Sequence, residues 1–224
     1  MLQKTYITIL ESEFKKNGSV EIATGQKAYM RNQFNFCGLK TTKRREIQKP
    51  FLVKEYLPEK DKLPSLIKTL WEKPERDFQL FGQELAFKYI KQLEKKDIAL
   101  FESMITHKSW WDTVDFIAVK LLGSYFKKYP ELKETYSDNW LASNNIWLQR
   151  SAILFQLKYK EEIDTKLLHK NITALLDSKE FFINKAIGWI LREYSRTNPE
   201  WVVAFTKKTK LSSLSKKEAL RLLN

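Results

Sequence analysis

The decapeptide RSAILFQLKY at residues 150–159 is followed by KAIGWILREY at residues 185–194, a shift of 35 residues. Both begin with a basic residue, repeat apolar residues at intervals of three and four, and end in tyrosine, which is the spacing of an amphipathic α-helix. The same shift in the other direction leads from Arg150 to Asp115, and Trp71 opens a similar stretch about one period earlier. A helical period of about 35–40 residues is typical of an α-solenoid, in which helix pairs stack on their neighbours.

The remainder of the chain also favours helices. Only 6 Gly and 6 Pro occur in 224 residues, which argues against a loop-rich β-sandwich or barrel. Sustained apolar–polar alternation, the mark of a half-buried strand, is missing from the sequence. We therefore predict an all-α fold, an α-solenoid of antiparallel helix pairs forming a single domain over residues 1–224. Its clearest helices are expected at residues 77–93, 111–127, 146–159 and 181–194.

The charge of the chain favours a polyanionic partner. Lys and Arg total 40 against 27 Asp and Glu, a formal net charge of +13. Such an excess attracts phosphate backbones or acidic membrane surfaces, although a merely basic protein would have it too. No stretch reaches 18 apolar residues, so we expect no membrane span. One cysteine, Cys37, and no secretory segment favour a reduced cytoplasm.

The repeat register brings three charged positions into line. If Asp115, Arg150 and Lys185 occupy the same place in successive repeats, they project onto one surface of the solenoid. Basic residues in such a row would follow a phosphate backbone. A carboxylate in the row would repel phosphates, so Asp115 is expected to offset that cost with a specific function.

Aromatic residues surround this carboxylate in the predicted helices. Trp111 precedes Asp115 by four residues and shares its helix face, while Trp189 follows Lys185 by four residues in its own repeat. Tyr29 is a further aromatic candidate. Indole faces and a carboxylate both attract a flat cation. A purine alkylated at ring nitrogen 3 or 7 is such a cation, and a fixed carboxylate would stabilise the positive charge that develops on the sugar as the base leaves.

Structural interpretations of the same residues remain open. Tryptophans at helical spacing usually belong to a core, and Asp115 could form an ion pair with Arg150 between repeats. Trp110 and Asp112 lie elsewhere on the helix surface and are expected to point away from the ligand-binding pocket that Trp111, Trp189 and Asp115 would form.

The basic run that begins at Lys40 precedes an apolar helix. Thr41 and Thr42 would offer hydroxyl groups and backbone amides to a phosphate at the helix N-terminus, with Arg44 and Arg45 supplying positive charge. A solvated helix cap explains the run about equally well.

Four longer segments carry a family resemblance. The chain resembles the AlkD-type DNA alkylation repair glycosylases over nearly its whole length, in YMRNQFNFCGLKTTKRR, KSWWDTVD, ASNNIWLQRSAILFQLKYK and SKEFFINKAIGWILREYSRTNP. The resemblance implies HEAT-like helix pairs curved into a basic concave groove. It also implies a monofunctional glycosylase, which hydrolyses the N-glycosidic bond of cationic alkylpurines such as 7-methylguanine and 3-methyladenine and uses no metal or cofactor. The family acts without flipping the damaged base into a pocket, unlike most glycosylases.

The resemblance also implies roles for single residues. The catalytic aspartate of the family falls on Asp115, its cleft tryptophans on Trp111 and Trp189, its groove arginine on Arg150 and its N-terminal tyrosine on Tyr29. Relatives often have Thr-Pro-Glu-Arg-Arg where this chain reads TTKRR from Thr41, so the phosphate clamp that this run would form is more basic here and lacks the proline.

The sequence therefore predicts a DNA glycosylase of base excision repair. Its partner would be double-stranded DNA containing alkylated purines, and we expect a monomer in a bacterial-type cytosol, associated with the nucleoid. One alternative is a non-catalytic HEAT-like repeat protein that binds damaged or branched DNA. Another is a HEAT scaffold that binds proteins.

Overall fold

A computed structural model describes residues 2–223, with side chains from residue 5 onward. Within this range every regular element is helical, and the sole β-type pairing is an isolated bridge between Asn35 and Glu75. The prediction of an all-α fold is confirmed. The chain packs as two compact units, Met1–Gln92 and Leu93–Asn224. The prediction of one domain is not tested by this division and stays a prediction.

The first unit is built on a core of aromatic rings. Tyr6, Phe14, Phe51, Phe78 and Phe81 are buried, and the contacts among their rings have centroid separations between 5.5 and 6.5 Å. Edge-to-face and tilted contacts of this kind stabilise a core beyond the burial of apolar area. The helices of this unit are α1 (Leu2–Lys16), α2 (Val20–Tyr29), α3 (Thr41–Gln48), α4 (Leu63–Glu72) and α5 (Arg76–Phe87).

The second unit contains the segment on which the fold prediction rests. An aliphatic core that includes Ile153, Leu168, Ile187 and Val202 joins its helix pairs. The helices are α6 (Asp97–Thr106), α7 (Trp111–Phe116), α8 (Gly123–Lys128), α9 (Lys133–Ala142), α10 (Ile146–Leu154), α11 (Thr165–Thr173), α12 (Phe181–Tyr194), α13 (Pro199–Lys208) and α14 (Ser213–Ala219).

The 35-residue period is present in the helix boundaries. The helices α5, α7, α10 and α12 begin at residues 76, 111, 146 and 181. In the second unit α10 packs against both α7 and α12. Ion pairs also join residues 35 positions apart, Lys127 with Glu162 at 3.0 Å and Lys158 with Glu193 at 2.5 Å. The second unit therefore has the solenoid-like stacking that its repeats predict.

Helix ends differ from the sequence prediction where apolar residues remain buried beyond the helix. The predicted helix at 146–159 ends at Leu154, yet Phe155 and Leu157 stay buried in the turn that follows. The predicted helix at 77–93 ends at Phe87, and buried Tyr89 continues its apolar pattern. Because buried apolar residues continue beyond the last helical residue, the apolar pattern in the sequence overestimates the length of both helices.

Candidate active site

The candidate site lies where α7, α10 and α12 begin. Asp115, Arg150 and Lys185 are each the fifth residue of their helix. Their equivalence, inferred from the repeat register, therefore holds in the folded chain.

Asp115 and Arg150 form a bidentate ion pair. Arg150 Nε donates to Asp115 Oδ1 at 2.7 Å, and Nη2 donates to Oδ2 at 2.8 Å. Arg150 Nη1 donates to the carbonyl of Phe182 at the start of α12. The arginine side chain is 5% exposed and the aspartate side chain 16% exposed. The guanidinium thus joins three successive repeats, and part of the Asp115 side chain remains accessible to solvent.

Burial and the arginine act on Asp115 in opposite directions. Burial raises the pKa of the Asp115 carboxyl, and the hydrogen bonds and charge of Arg150 oppose that rise. Nearby Asp112 adds to the rise because two carboxylates repel each other. Burial is the larger influence, so the pKa of Asp115 is raised, and Arg150 is the group that favours its ionised form.

Local sequence fixes the helix starts that carry the pair. Asn145 caps α10, with its Oδ1 accepting hydrogen bonds from the backbone N–H groups of Trp147 and Leu148. The preceding Asn144 has a left-handed backbone, φ 56°, which asparagine tolerates better than most residues. The helix α7 follows an extended Trp110, φ −160°. These turns determine where α10 and α7 begin, and therefore where Arg150 and Asp115 lie along them.

A helix of unusual geometry follows Asp115. The predicted helix at 111–127 is present as α7 and α8, joined by a π-helical segment, Ile117–Leu122. Segments of this kind are rare and occur often beside functional sites.

Three aromatic residues that sequence reasoning did not assign to the site pack against one another, and one of them, Phe182, lies beside Arg150. Trp110 lies 5.7 Å from Trp147 and 5.3 Å from Phe182 between ring centroids, and Trp147 lies 5.0 Å from Phe182. The guanidinium carbon of Arg150 is 6.0 Å from the Phe182 centroid. Trp110 contacts Phe182, whose carbonyl accepts a hydrogen bond from Arg150, and the prediction that Trp110 points away from the ligand-binding pocket stays a prediction. Trp147 and Phe182 are 35 residues apart, so the repeat period could have predicted that these two rings lie in neighbouring repeats.

The two predicted cleft tryptophans lie on helices to either side of α10. Trp111 is the first residue of α7, one turn before Asp115, and Trp189 is in α12, partly buried against the core of the second unit. Both are only partly buried. Their meeting around a shared ligand stays a prediction.

Lys185 is paired with an acid from the last helix. Its Nζ lies 2.6 Å from Glu218 Oε2 of α14, and its side chain is 40% exposed. Lys185 is thus far more accessible than Arg150, its counterpart in the preceding repeat.

Within the first unit, Tyr29 and the basic run lie on separate elements. Tyr29 is the last residue of α2 and is 71% exposed. Lys40 precedes α3, and Thr41 and Thr42 begin it, all three being exposed. The predicted clamp and the role of Tyr29 stay predictions.

The arginines of the run differ in exposure. Arg44 is 4% exposed and donates to Gln48 and Glu84, whereas Arg45, also bound to Glu84, is 59% exposed. Internal hydrogen bonds therefore occupy Arg44.

The described residues contain no group of three or more His, Cys, Asp or Glu side chains placed to hold a metal ion. Over the same range, no helix has both the length and the apolar character that a membrane crossing requires.

The fold and this site define the class, an all-α repeat protein with a partly buried carboxylate between repeats. A family model described as "DNA alkylation repair enzyme" matches residues 10–223, and the chain belongs to that family. A search of curated proteins gave no match.

Among solved structures, the chain is similar to a predicted DNA alkylation repair enzyme from Enterococcus faecalis. The two are 33% identical with a TM-score of 0.86, and the match covers 92% of this chain and 96% of the other.

Proposed function

We propose that this protein is a monofunctional DNA glycosylase that hydrolyses the N-glycosidic bond of cationic alkylpurines, such as 7-methylguanine and 3-methyladenine. It would act as a monomer on duplex DNA in base excision repair, in a bacterial-type cytosol. The observation that carries the proposal is Asp115, whose carboxylate is held in one orientation by Arg150 and whose side chain is 16% exposed. Membership of the DNA alkylation repair enzyme family supports the substrate class.

The chemistry asks little beyond a fixed negative charge. A cationic purine leaves with the electron pair of its glycosidic bond as a neutral base, so no acid is needed to protonate it. The deoxyribose then develops positive charge, which Asp115 stabilises by electrostatics. Water forms the new bond at the anomeric carbon, and its proton passes to the carboxylate or to solvent. One carboxylate thus suffices where sugar hydrolases use two.

Trp111 and Trp189 would select for the cation. Indole faces attract positive charge, and the interaction strengthens where water is excluded. Both side chains are partly accessible. We assign them to the alkylated base and Asp115 to the sugar.

Arg150 would act mainly through Asp115. Its side chain is 5% exposed, and it donates to both carboxylate oxygens and to the Phe182 carbonyl. A DNA phosphate would have to break this set of hydrogen bonds to reach it. We therefore assign phosphate contacts to exposed groups of the first unit, namely Tyr29, Lys40, Thr41, Thr42 and Arg45.

The proposal is tested by incubating the pure protein with duplex DNA that contains a single 7-methylguanine. The expected result is free 7-methylguanine and an abasic site, formed faster than in protein-free DNA. Duplex with unmodified guanine at the same position serves as the control substrate. Release at the uncatalysed rate by folded protein would refute the glycosylase assignment.

One observation favours a second candidate, a non-catalytic protein that binds damaged or branched DNA. Because Arg150 engages both oxygens of Asp115, the pair could serve only to join α7 to α10. Binding to lesion-containing or branched DNA without base release would identify this function.

A further inference from the structure

Glu218 is a buried carboxylate among basic side chains. It is 8% exposed, and its Oε2 lies 2.6 Å from Lys185 Nζ. Its Oε1 contacts Arg192 and lies 3.8 Å from Arg221 Nη1. Glu218 of α14 therefore contacts two cations of α12, Lys185 and Arg192, which lie two helical turns apart.

The packing of α14 on α12 fixes the position of this acid. A Cβ at Gly188 would lie 2.5 Å from Glu218 Cβ and 3.0 Å from the Ser215 carbonyl, so the two helices touch where only glycine fits. Ser215 Oγ also donates to the Asn184 carbonyl of α12 at 2.8 Å. Glu218 thus approaches Lys185 from a rigid support.

Lys185 is the accessible cation in the register of Asp115 and Arg150. Its side chain is 40% exposed against 5% for Arg150. A lysine ammonium on a flexible stem could exchange Glu218 for another anion without moving its helix. Glu218 is the competing partner for any phosphate that reaches Lys185.

We propose that Glu218 is a positioning residue that lowers the affinity of the protein for DNA, because it holds the Lys185 ammonium away from the phosphate backbone. This inference rests on the proposed function, since it requires that this surface bind DNA. It assigns to the last helix a part in setting how tightly DNA is held.

The test is Glu218→Gln, with binding to an undamaged duplex measured across a range of salt concentrations. Freeing Lys185 adds about one phosphate contact, which steepens the plot of log affinity against log salt by about 0.9. Between 50 and 200 mM salt the variant should thus lose roughly threefold more affinity than the parent protein. Adding Lys185→Gln to this variant should restore the parental slope.

Glu193→Gln is the matched control. Glu193 pairs with Lys158 and lies 3.7 Å from Arg196, so its replacement removes the same charge and also leaves two cations without it. It is eight residues from Lys185, roughly 12 Å along α12. We expect no steepening in this variant. Equal steepening in both variants would overturn the proposal, because net charge alone would then explain it.

Lys185→Gln alone keeps the test decisive if Glu218→Gln does not fold. An ammonium already neutralised by Glu218 contributes little to DNA binding, so the parental slope should persist in this variant. A decrease in steepness of about 0.9 would show that Lys185 already contacts phosphate, and would overturn the proposal. If the parent protein itself shows no salt-dependent binding to duplex DNA, the proposed function fails instead.

Discussion

At the scale of single residues, the site depends on how Asp115 keeps its charge. Its carboxylate is largely buried, which favours the neutral form, and Arg150 contributes two hydrogen bonds that favour the ionised form. Without such a partner, burial alone would raise the pKa of the carboxyl further and favour the neutral form, which lacks the charge that the proposed chemistry uses. Arg150 is thus as necessary to the proposed reaction as a group that contacts the substrate.

Arg150→Gln should move the acid limb of the pH–rate profile. Loss of the guanidinium raises the pKa of Asp115 further. As the pH is lowered, base release by the variant should therefore decline at a higher pH than base release by the parent protein. A nearby arginine typically lowers an aspartate pKa by about 1–3 units, which sets the size of the expected shift. Single-turnover release of 7-methylguanine across pH measures it.

Arg196→Gln is the control for that experiment, because Arg196 is 62% exposed and pairs with Glu193 rather than with Asp115. Its acid limb should coincide with that of the parent protein. Identical limbs in Arg150→Gln and the parent would show that ionisation of Asp115 does not limit the reaction.

At the scale of elements, close helix packing positions the charged groups. The α12–α14 contact is built around Gly188, at which any side chain would collide with Glu218 and Ser215. In α2 the corresponding space at Gly25 is open, with no atom within 4 Å of the position a Cβ would take. Two helical glycines thus differ in their surroundings.

Alanine at these two positions should have opposite effects on stability. Gly188→Ala overpacks a helix contact and should lower the free energy of unfolding by about 1–3 kcal/mol. Gly25→Ala removes only the flexibility of glycine in a helix and should raise that free energy by roughly 0.5–1 kcal/mol. Urea denaturation followed by circular dichroism measures both. A neutral Gly188→Ala would mean that α14 shifts easily on α12.

The same scale separates what sequence could predict from what it could not. The 35-residue period predicted that Asp115 and Arg150 are equivalent, and their contact follows from it. The partner of Lys185 was not predictable, since Glu218 is 33 residues away and breaks the register.

The burial of Arg44 was equally hidden from the sequence. Arg44 is buried beside Glu84, which follows it by 40 residues, and no pattern in the sequence relates the two. A local pattern records which residues share a helix face, whereas these partners come from packing between distant segments.

At the scale of the whole molecule, the excess of basic residues sets how the chain meets DNA. With a net charge of +13, DNA binding should involve release of counterions from the phosphate backbone. A protein-binding scaffold would not share this dependence on salt.

We therefore expect the duplex affinity of the parent protein to fall steeply with salt. With six or more phosphate contacts the loss would be about a thousandfold between 50 and 200 mM salt. Fluorescence anisotropy of a labelled duplex measures the slope. A flat response would favour the protein-binding scaffold.

The central claim is that Asp115 performs the chemistry, and Asp115→Asn tests it most directly. The change keeps the shape of the side chain and removes its charge. Loss of a preorganised electrostatic contact to a transition state typically costs about 100- to 1000-fold in rate. We predict that loss in single-turnover release of 7-methylguanine, with duplex affinity equal to or tighter than that of the parent. Undiminished release by Asp115→Asn, or a loss of release that only follows a loss of DNA binding, would contradict the account.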